Sequence, residues 1–189
     1  MSSKNLGGEW SEEKYHVHTL TCYSPVVEVG FMGYASLPQV GSGLRQRIFS
    51  RAFIIGDTDD ATSRFIYLVL DTQSGDTAVR YGILQALGDM GPDYAMYTQQ
   101  NVAVTGTHQH SGPGAWVNYL LPQITTLGFD KQSYQAIVDG AVLSIQRAHE
   151  SLAPGYLTYG SAQVTNGSIN RSPYAYLANP AEELSLIHI

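Results

Sequence analysis

Short apolar runs alternate with two long helical repeats in the middle of this chain, and that alternation restricts the fold more than any other feature. Runs 52–55 (AFII) and 65–70 (FIYLVL) are rich in β-branched and aromatic residues, which predicts two buried strands. Apolar residues recur with the helical period over 77–90 and 131–152, which predicts two amphipathic helices. A third apolar run, 102–104, lies between them. This order predicts an α/β fold, a layered domain with a central mixed β-sheet flanked by helices.

The ends of the predicted elements carry further signals. Asp130 directly precedes the second helix and is expected to cap its first turn. His149 lies near the end of that helix, where the helix dipole favours a cation, so we expect a structural role. Segment 156–164 alternates like a further strand, whereas 166–176 has the composition of a loop.

Size and charge exclude several classes of protein. The chain has 189 residues, enough for one substantial domain or for part of a larger one. Its formal net charge is −6 and no Lys/Arg cluster is present, which argues against a nucleic-acid surface. No apolar run is long enough to span a bilayer, and the polar start MSSKNLGGEW lacks the apolar core of a signal peptide. A single cysteine, Cys22, excludes an internal disulfide.

The most informative stretch is NVAVTGTHQHSGPG, residues 101–114. If the strand continues through the polar residues, His108 and His110 share one face, because alternate side chains of a strand point the same way. Two imidazoles at the end of a core strand favour a metal site, and zinc is the best match to them. The alternative is a surface or hydrogen-bonded pair. A catalytic zinc takes about three protein ligands, and this stretch offers two at most.

Other polar residues have two interpretations each. Arg45, Arg47 and Arg51 would share a strand face, which is either solvated or open to an anionic or polar partner. Asp71 ends a predicted strand, where a carboxylate can serve a site. A second His-x-His pair includes His18, and we interpret it as solvated or as part of an edge strand.

Several motifs together resemble a known family. The segments MGYASLPQ, LRQRIFSRAFII, GTHQHSGPG and INRSPYAYLANP, in this order, closely resemble the N-terminal part of neutral (non-lysosomal) ceramidases. The resemblance covers residues 25–183.

The resemblance implies a zinc-dependent amidase that hydrolyses the N-acyl bond of ceramide to give sphingosine and a fatty acid. It implies that His108 binds Zn²⁺, that His110 lies beside the metal and acts on the substrate, and that Arg171 lines the polar end of the pocket. The implied partners are ceramide and a membrane surface. The implied location is secreted or at the membrane surface.

The chain also departs from the family pattern. The other zinc ligands of the family, a histidine, a glutamate and a tyrosine, lie further along the chain than residue 189. The family's Asp-x-Thr-Gly-Pro segment is replaced by TCYSP at 21–25, so we regard 1–24 as an atypical, poorly ordered segment. Residues 184–189 do not continue the pattern, and we expect a non-native tail in which His188 has no role. Residues 25–183 would then be an incomplete catalytic domain, inactive alone.

Three other functions remain open. The chain could be a non-catalytic fragment or a lipid-binding module with a partial metal site. It could also be an unrelated metallohydrolase with a strand-end His-x-His pair, although amidohydrolase barrels use more βα units than this chain offers. The number of metal ligands distinguishes these hypotheses, because one or two histidines bind metal weakly whereas a closed set binds tightly.

Overall fold

The computed structural model describes residues 18–19, 27–155, 160–167 and 172–184, which form two units, 1–157 and 158–189. The strands are β1 (His18–Thr19), β2 (Val27–Gly30), β3 (Val40–Ser42), β4 (Phe49–Ile55), β5 (Phe65–Leu70) and β6 (Val102–Gly106). The helices are α1 (Thr77–Asp89), α2 (Leu120–Thr125), α3 (Lys131–Glu150), α4 (Pro173–Leu177) and α5 (Ala181–Leu184).

A four-stranded mixed sheet forms the centre of the first unit. Its strand order is β1-β4-β5-β6. The β1–β4 and β4–β5 pairs are antiparallel, whereas β5 and β6 are parallel, with Ile66 opposite Val102 and Leu70 opposite Gly106. The predicted α/β fold with a mixed sheet is confirmed. The strand that contains His18 lies at the edge of the sheet, as interpreted from the sequence.

The core lies between one face of the sheet and two helices. Alternate residues of β5 are buried, and α3 packs on β4 and β5 while α1 packs on α3. A buried hydrogen bond of 2.7 Å between the hydroxyls of Ser50 and Ser144 joins the sheet to α3. The core side chains from these elements include Ile54, Ile66, Leu68, Leu70, Val79, Ile83, Leu87, Ile137, Ala141 and Ile145.

Aspartates cap both long helices. The carboxylate of Asp130 accepts a hydrogen bond from the Ser133 N–H at 2.7 Å, which confirms the predicted cap of α3. Asp76 caps α1, and one of its oxygens accepts from the N–H groups of Ala78 and Val79. Its other oxygen accepts from the Asn118 N–H at 2.8 Å, so this buried carboxylate also fixes the segment that follows the histidine motif.

The irregular parts of the chain differ from the predictions. Residues 160–164 form no strand, so that part of the predicted strand is wrong, and 156–159 lie outside the described residues. The short helix α4 begins at Pro173, inside the predicted loop 166–176, and ends at Leu177, one residue beyond it. In the second unit, the Tyr176 hydroxyl donates to the Leu184 carbonyl at 3.0 Å. None of the described helices has the length and apolarity that crossing a membrane requires.

Candidate active site

The histidine motif begins at the edge of the sheet where β5 and β6 both end. Gly106 closes β6, and a Cβ at this position would lie 2.7 Å from the Thr72 carbonyl oxygen, so only glycine allows the two chains to approach this closely. The next residue, Thr107, donates its N–H to the Leu70 carbonyl at 2.9 Å, and the His108 N–H donates to the Thr72 carbonyl at 3.1 Å. The motif therefore leaves the sheet as a loop anchored to residues 70–72.

The imidazoles of His108 and His110 lie close together, but a continuous strand is not what brings them there. The strand stops before the histidines, and His108 has a left-handed backbone with φ of 62°. The expectation of a continuous extended strand through His110 is therefore wrong. The rings of His108 and His110 nevertheless lie 4.8 Å apart between centroids, at 61° to each other. Loop geometry, rather than strand alternation, places both rings in one space.

The hydrogen bond of His108 selects one of its two nitrogens. Its Nδ1 lies 2.9 Å from the backbone carbonyl oxygen of Gln73, which can only accept, and 3.3 Å from the Gln73 side-chain Nε2, which can only donate. The shorter of the two contacts favours a neutral ring that carries its proton on Nδ1. Nε2 then carries the lone pair. An imidazole whose Nδ1–H is bound by a carbonyl is the usual form of a histidine that ligates metal through Nε2. The His108 side chain is exposed, so that nitrogen is open to a ligand.

His110 has unused hydrogen-bonding capacity. Both of its ring nitrogens are buried, and neither has a hydrogen-bond partner among the described residues. A buried polar atom without a partner is costly, so such atoms often mark a position that a ligand completes. The Tyr34 ring contacts the His110 ring edge-on, with 4.5 Å between centroids.

Gly33 sets the position of His110 from a distant part of the sequence. Its φ is 139°, which side-chain-bearing residues rarely adopt, and a Cβ there would overlap the His110 ring. The sequence interpretation gave no site role to Gly33 or Tyr34. They belong to the quoted segment MGYASLPQ, which was the only signal that pointed to them.

Backbone pairing holds these two segments together. The Met32 N–H donates to the Gly112 carbonyl at 3.2 Å, and the Gly114 N–H donates to the Gly30 carbonyl at 3.0 Å. The residues after β2 thus run along the SGPG turn. The histidine motif is consequently fixed on one side by the end of β5 and on the other by the end of β2.

Gln109, between the histidines, uses both ends of its amide. Its Nε2 donates to the Asp71 carbonyl at 3.0 Å, and its Oε1 accepts from the Ser111 N–H at 2.6 Å. The side chain therefore points away from the space between the rings and braces the loop against the end of β5.

The polar residues singled out on the neighbouring strands have separate positions. Asp71 forms an ion pair with Arg51, in which Nη1 lies 2.6 Å from Oδ1, and also accepts from the Phe49 N–H at 3.1 Å. Asp71 is thus a structural acid here. Arg45 and Arg47 lie in the loop before β4, so the predicted face shared by all three arginines is not formed.

His149 is far from this loop in the fold and has a structural environment. Its Nδ1 lies 2.7 Å from the Tyr97 hydroxyl, and its ring lies against Tyr94. Burial, and next the positive charge of Arg64, lower the pKa of His149 from its ordinary value of 6.5. The structural role expected from the sequence fits these contacts, but the environment favours the neutral ring rather than the cation.

The described residues do not form a complete metal site. They contain no group of three or more His, Cys, Asp or Glu side chains placed to hold a metal ion. Nε2 of His108 fits a zinc ion as one member of a larger ligand set, and the unpartnered ring nitrogens of His110 lie beside that position. Arg171, expected at the polar end of the pocket, lies outside the described residues, as does His188.

Comparison with known proteins identifies the family. Residues 19–187 match the family described as neutral/alkaline non-lysosomal ceramidase, N-terminal. This chain belongs to that ceramidase family. It is 40% identical over 161 residues to neutral ceramidase 3 of Arabidopsis thaliana, and 40% identical over 153 residues to the neutral ceramidase of Pseudomonas aeruginosa. These matches cover 85% and 81% of this chain.

Solved ceramidase structures share the fold. The crystal structure of the Pseudomonas aeruginosa neutral ceramidase matches with a TM-score of 0.79 at 37% identity, over 91% of this chain. A ceramidase complexed with C2 matches with a TM-score of 0.80 at 36% identity, over 92% of this chain. The chain spans 21% and 22% of the two ceramidase sequences named above and 26% of each solved chain. The resemblance predicted from the motifs, to the N-terminal part of a ceramidase, is confirmed.

Proposed function

We propose that this chain is the N-terminal part of a zinc-dependent amidohydrolase that cleaves the N-acyl bond of ceramide to sphingosine and a fatty acid. The observation that carries the proposal is the meeting of two imidazoles, His108 and His110, in a loop at the carboxyl edge of the parallel strands. The relatives support the substrate, since the two named above are neutral ceramidases.

His108 is the residue that we assign to the metal. The Gln73 carbonyl holds Nδ1–H, so Nε2 keeps a lone pair for Zn²⁺. When bound, zinc supplies a Lewis acid that lowers the pKa of water to about 7 and polarises a carbonyl oxygen. Further protein ligands are required, and in this proposal they belong to the part of the enzyme beyond this chain.

His110 is the residue that we assign to proton transfer. A neutral imidazole takes a proton from the attacking water and later donates it to the departing nitrogen, near neutral pH. The water oxygen joins the acyl carbon, the C–N bond breaks, and the amine of sphingosine receives the proton. We assign to Arg171 the binding of a substrate hydroxyl or of the developing oxyanion, since a guanidinium offers several donors in one plane.

We further propose that the enzyme works at a membrane surface, secreted or surface-bound, where ceramide resides. Support comes from helix α2, none of whose side chains is buried. No Asp, Glu, Lys or Arg occurs between Asp93 and Asp130, so histidine is the one ionisable side chain besides tyrosine in the segment that contains α2. The exposed large side chains of this apolar ridge are Tyr119, Leu120, Leu121, Ile124, Leu127 and Phe129. Apolar side chains bordered by aromatic rings suit a lipid interface.

This chain by itself fits a second, narrower function, that of a partial metal site without catalysis. The absence of a third metal-ligating side chain near His108 and His110, within the described residues, favours that description. We therefore expect the isolated chain to bind zinc weakly and to turn over no ceramide.

One experiment tests both statements. The 189-residue chain and the parent enzyme, extended to the length of its relatives, are each purified with zinc. The release of fatty acid from ceramide is measured together with the bound zinc. We expect turnover and stoichiometric zinc in the parent only. A parent that hydrolyses ceramide at full rate after complete zinc removal would contradict the metal assignment. Ceramide turnover by the isolated chain would contradict the partial-site description.

A further inference from the structure

A cleft of about 620 Å³ lies beside the histidine motif and is lined in part by alternate residues of it. The loop before β4 forms one wall, and Thr107, Gln109 and Ser111 form part of the opposite wall. Neither His108 nor His110 lines it. The cleft is thus separate from the space that the two imidazoles share, and the proposed reaction makes no use of it.

Within the part of the chain that the structure describes, the cleft carries two positive charges that no carboxylate pairs. Arg45 and Arg47 line it with exposed side chains, and neither makes an ion pair with a carboxylate of the described residues. Asp71 is the acid in the lining, but its carboxylate is already bound to Arg51 and to the Phe49 N–H. Two free guanidiniums on one wall are notable because the whole chain carries a net charge of −6.

The rest of the lining is largely apolar. Phe31, Leu44, Ile48 and Pro113 face the cleft beside the arginines. Sites for small molecules typically have volumes of about 300–1,000 Å³, with mostly apolar walls and a few polar groups that fix orientation. Guanidiniums bind carboxylate and phosphate groups with paired hydrogen bonds. The lining therefore matches a molecule with an anionic head and a hydrocarbon body.

We propose that this arginine cleft binds a free amphiphile with an anionic head group, a carboxylate or a phosphate on a hydrocarbon chain. The head group pairs with Arg45 and Arg47, and the chain lies against Phe31 and Leu44. The apolar wall lies inside the cleft, where a free molecule can enter and the flat surface of a bilayer cannot reach it. The concave shape therefore favours a free molecule as the occupant. Binding requires neither zinc nor ceramide turnover, so this proposal stands apart from the proposed function.

Calorimetric titration of the full chain with dodecanoate, below its micelle concentration, tests the proposal. We expect saturable binding of dodecanoate and of dodecyl phosphate, with no binding of acetate or of dodecyltrimethylammonium. Arg45→Gln and Arg47→Gln should each weaken dodecanoate binding about tenfold, the effect of losing one charge-assisted hydrogen bond. Lys131→Gln, which removes an exposed charge on α3, should leave binding unchanged.

A second variant tests the contribution of the apolar wall to binding separately from that of the charges. Leu44 is exposed, so Leu44→Ser is tolerated by the fold, and it should weaken the binding of dodecanoate and of dodecyl phosphate alike, because it removes apolar contact and no charge. Equal dodecanoate affinity in the wild type and both arginine variants would overturn the proposal. Binding to phosphatidylcholine vesicles that contain phosphatidylserine, without binding of free dodecanoate, would also overturn it, because the arginines would then serve a membrane and not the cleft.

Discussion

The Nδ1 atom of His108 lies 2.9 Å from the carbonyl oxygen of Gln73, so the backbone just after β5 holds this imidazole at Nδ1 and leaves Nε2 as the nitrogen that can meet a ligand. A backbone acceptor cannot be removed by mutating Gln73. The metal assignment is therefore tested best on the imidazole itself.

Replacing His108 should remove zinc from the parent enzyme. His108→Asn is the better substitution than alanine, because asparagine tolerates the left-handed backbone at φ of 62°. Turnover of ceramide should fall at least about 10³-fold, since a lost Lewis acid removes several kcal/mol of transition-state stabilisation. Zinc content by atomic emission and fatty acid release are measured together. Lys131→Gln, which changes an exposed residue of α3, is the control, and unchanged zinc in His108→Asn would rule out the assignment.

His110 and Arg171 should affect the reaction without affecting the metal. His110→Gln is expected to lower kcat by about 10²–10⁴-fold, the usual contribution of a general acid–base. Arg171→Ala should lower kcat/KM by about 10–100-fold through loss of charge-assisted hydrogen bonds. Both variants should retain full zinc. Loss of zinc from either one would show that the residue supports the metal instead.

Gly33→Ala should disturb His110 from a position far away in the sequence. The methyl group would overlap the imidazole and would also be forced into an unfavourable backbone region. We expect a destabilisation of at least about 2 kcal/mol in urea unfolding, together with reduced turnover. Gly43→Ala is the matched control, since a Cβ there meets no atom within 4 Å, and it should change stability by less than about 0.5 kcal/mol. Equal stability of both variants would disprove the contact.

The stability of the chain should depend on pH through His149. Burial and Arg64 lower its pKa in the folded protein below the ordinary value of 6.5, while Asp93 and Glu150 oppose this more weakly. As pH falls below 6.5, the unfolded chain binds the proton first, so folding is progressively disfavoured until the folded pKa is passed. Urea unfolding between pH 8 and pH 5 should show a smaller loss of stability for His149→Gln than for the wild type. Parallel curves would contradict this origin of the pH dependence.

The apolar ridge should determine the affinity for lipid surfaces. Leu120 and Leu121 are 76% and 77% exposed, so replacing them with serine removes apolar contact area while the core is left intact. Each substitution should weaken binding to phosphatidylcholine vesicles that contain ceramide by about tenfold or more. Leu177→Ser, another exposed leucine, is the control. Vesicle sedimentation measures the bound fraction, and equal binding of all three variants would argue against this surface.

Local patterns were sufficient to predict the frame of the sheet and helices. Strands β4 and β5, helices α1 and α3, and the Asp130 cap follow from apolar periodicity and capping chemistry within short windows. The same reasoning failed at the histidines. It extended β6 past Gly106, where contact with Thr72 ends the strand, and such a contact is not visible in a local window.

The parts of the site that depend on distant contacts could not be predicted. Gly33 and Tyr34 lie beside His110 only because the end of β2 pairs with the SGPG turn, and no local pattern encodes that pairing. Likewise, Arg45 and Arg47 were interpreted as part of a strand face because arginines alternate there, whereas the strand begins at Phe49. The family resemblance identified the motifs, but the structure was needed to show which of them touch.

The pairing of residues 30–32 with the SGPG turn also has a dynamic consequence. His110 is positioned by a hairpin, β2–β3, that belongs to a separate two-stranded sheet and not to the central one. If that hairpin detaches in a local opening, the imidazole loses its packing while the core remains folded. The site would then lose its geometry before the chain unfolds globally. Amide hydrogen exchange of residues 30–33 would measure how often the hairpin detaches.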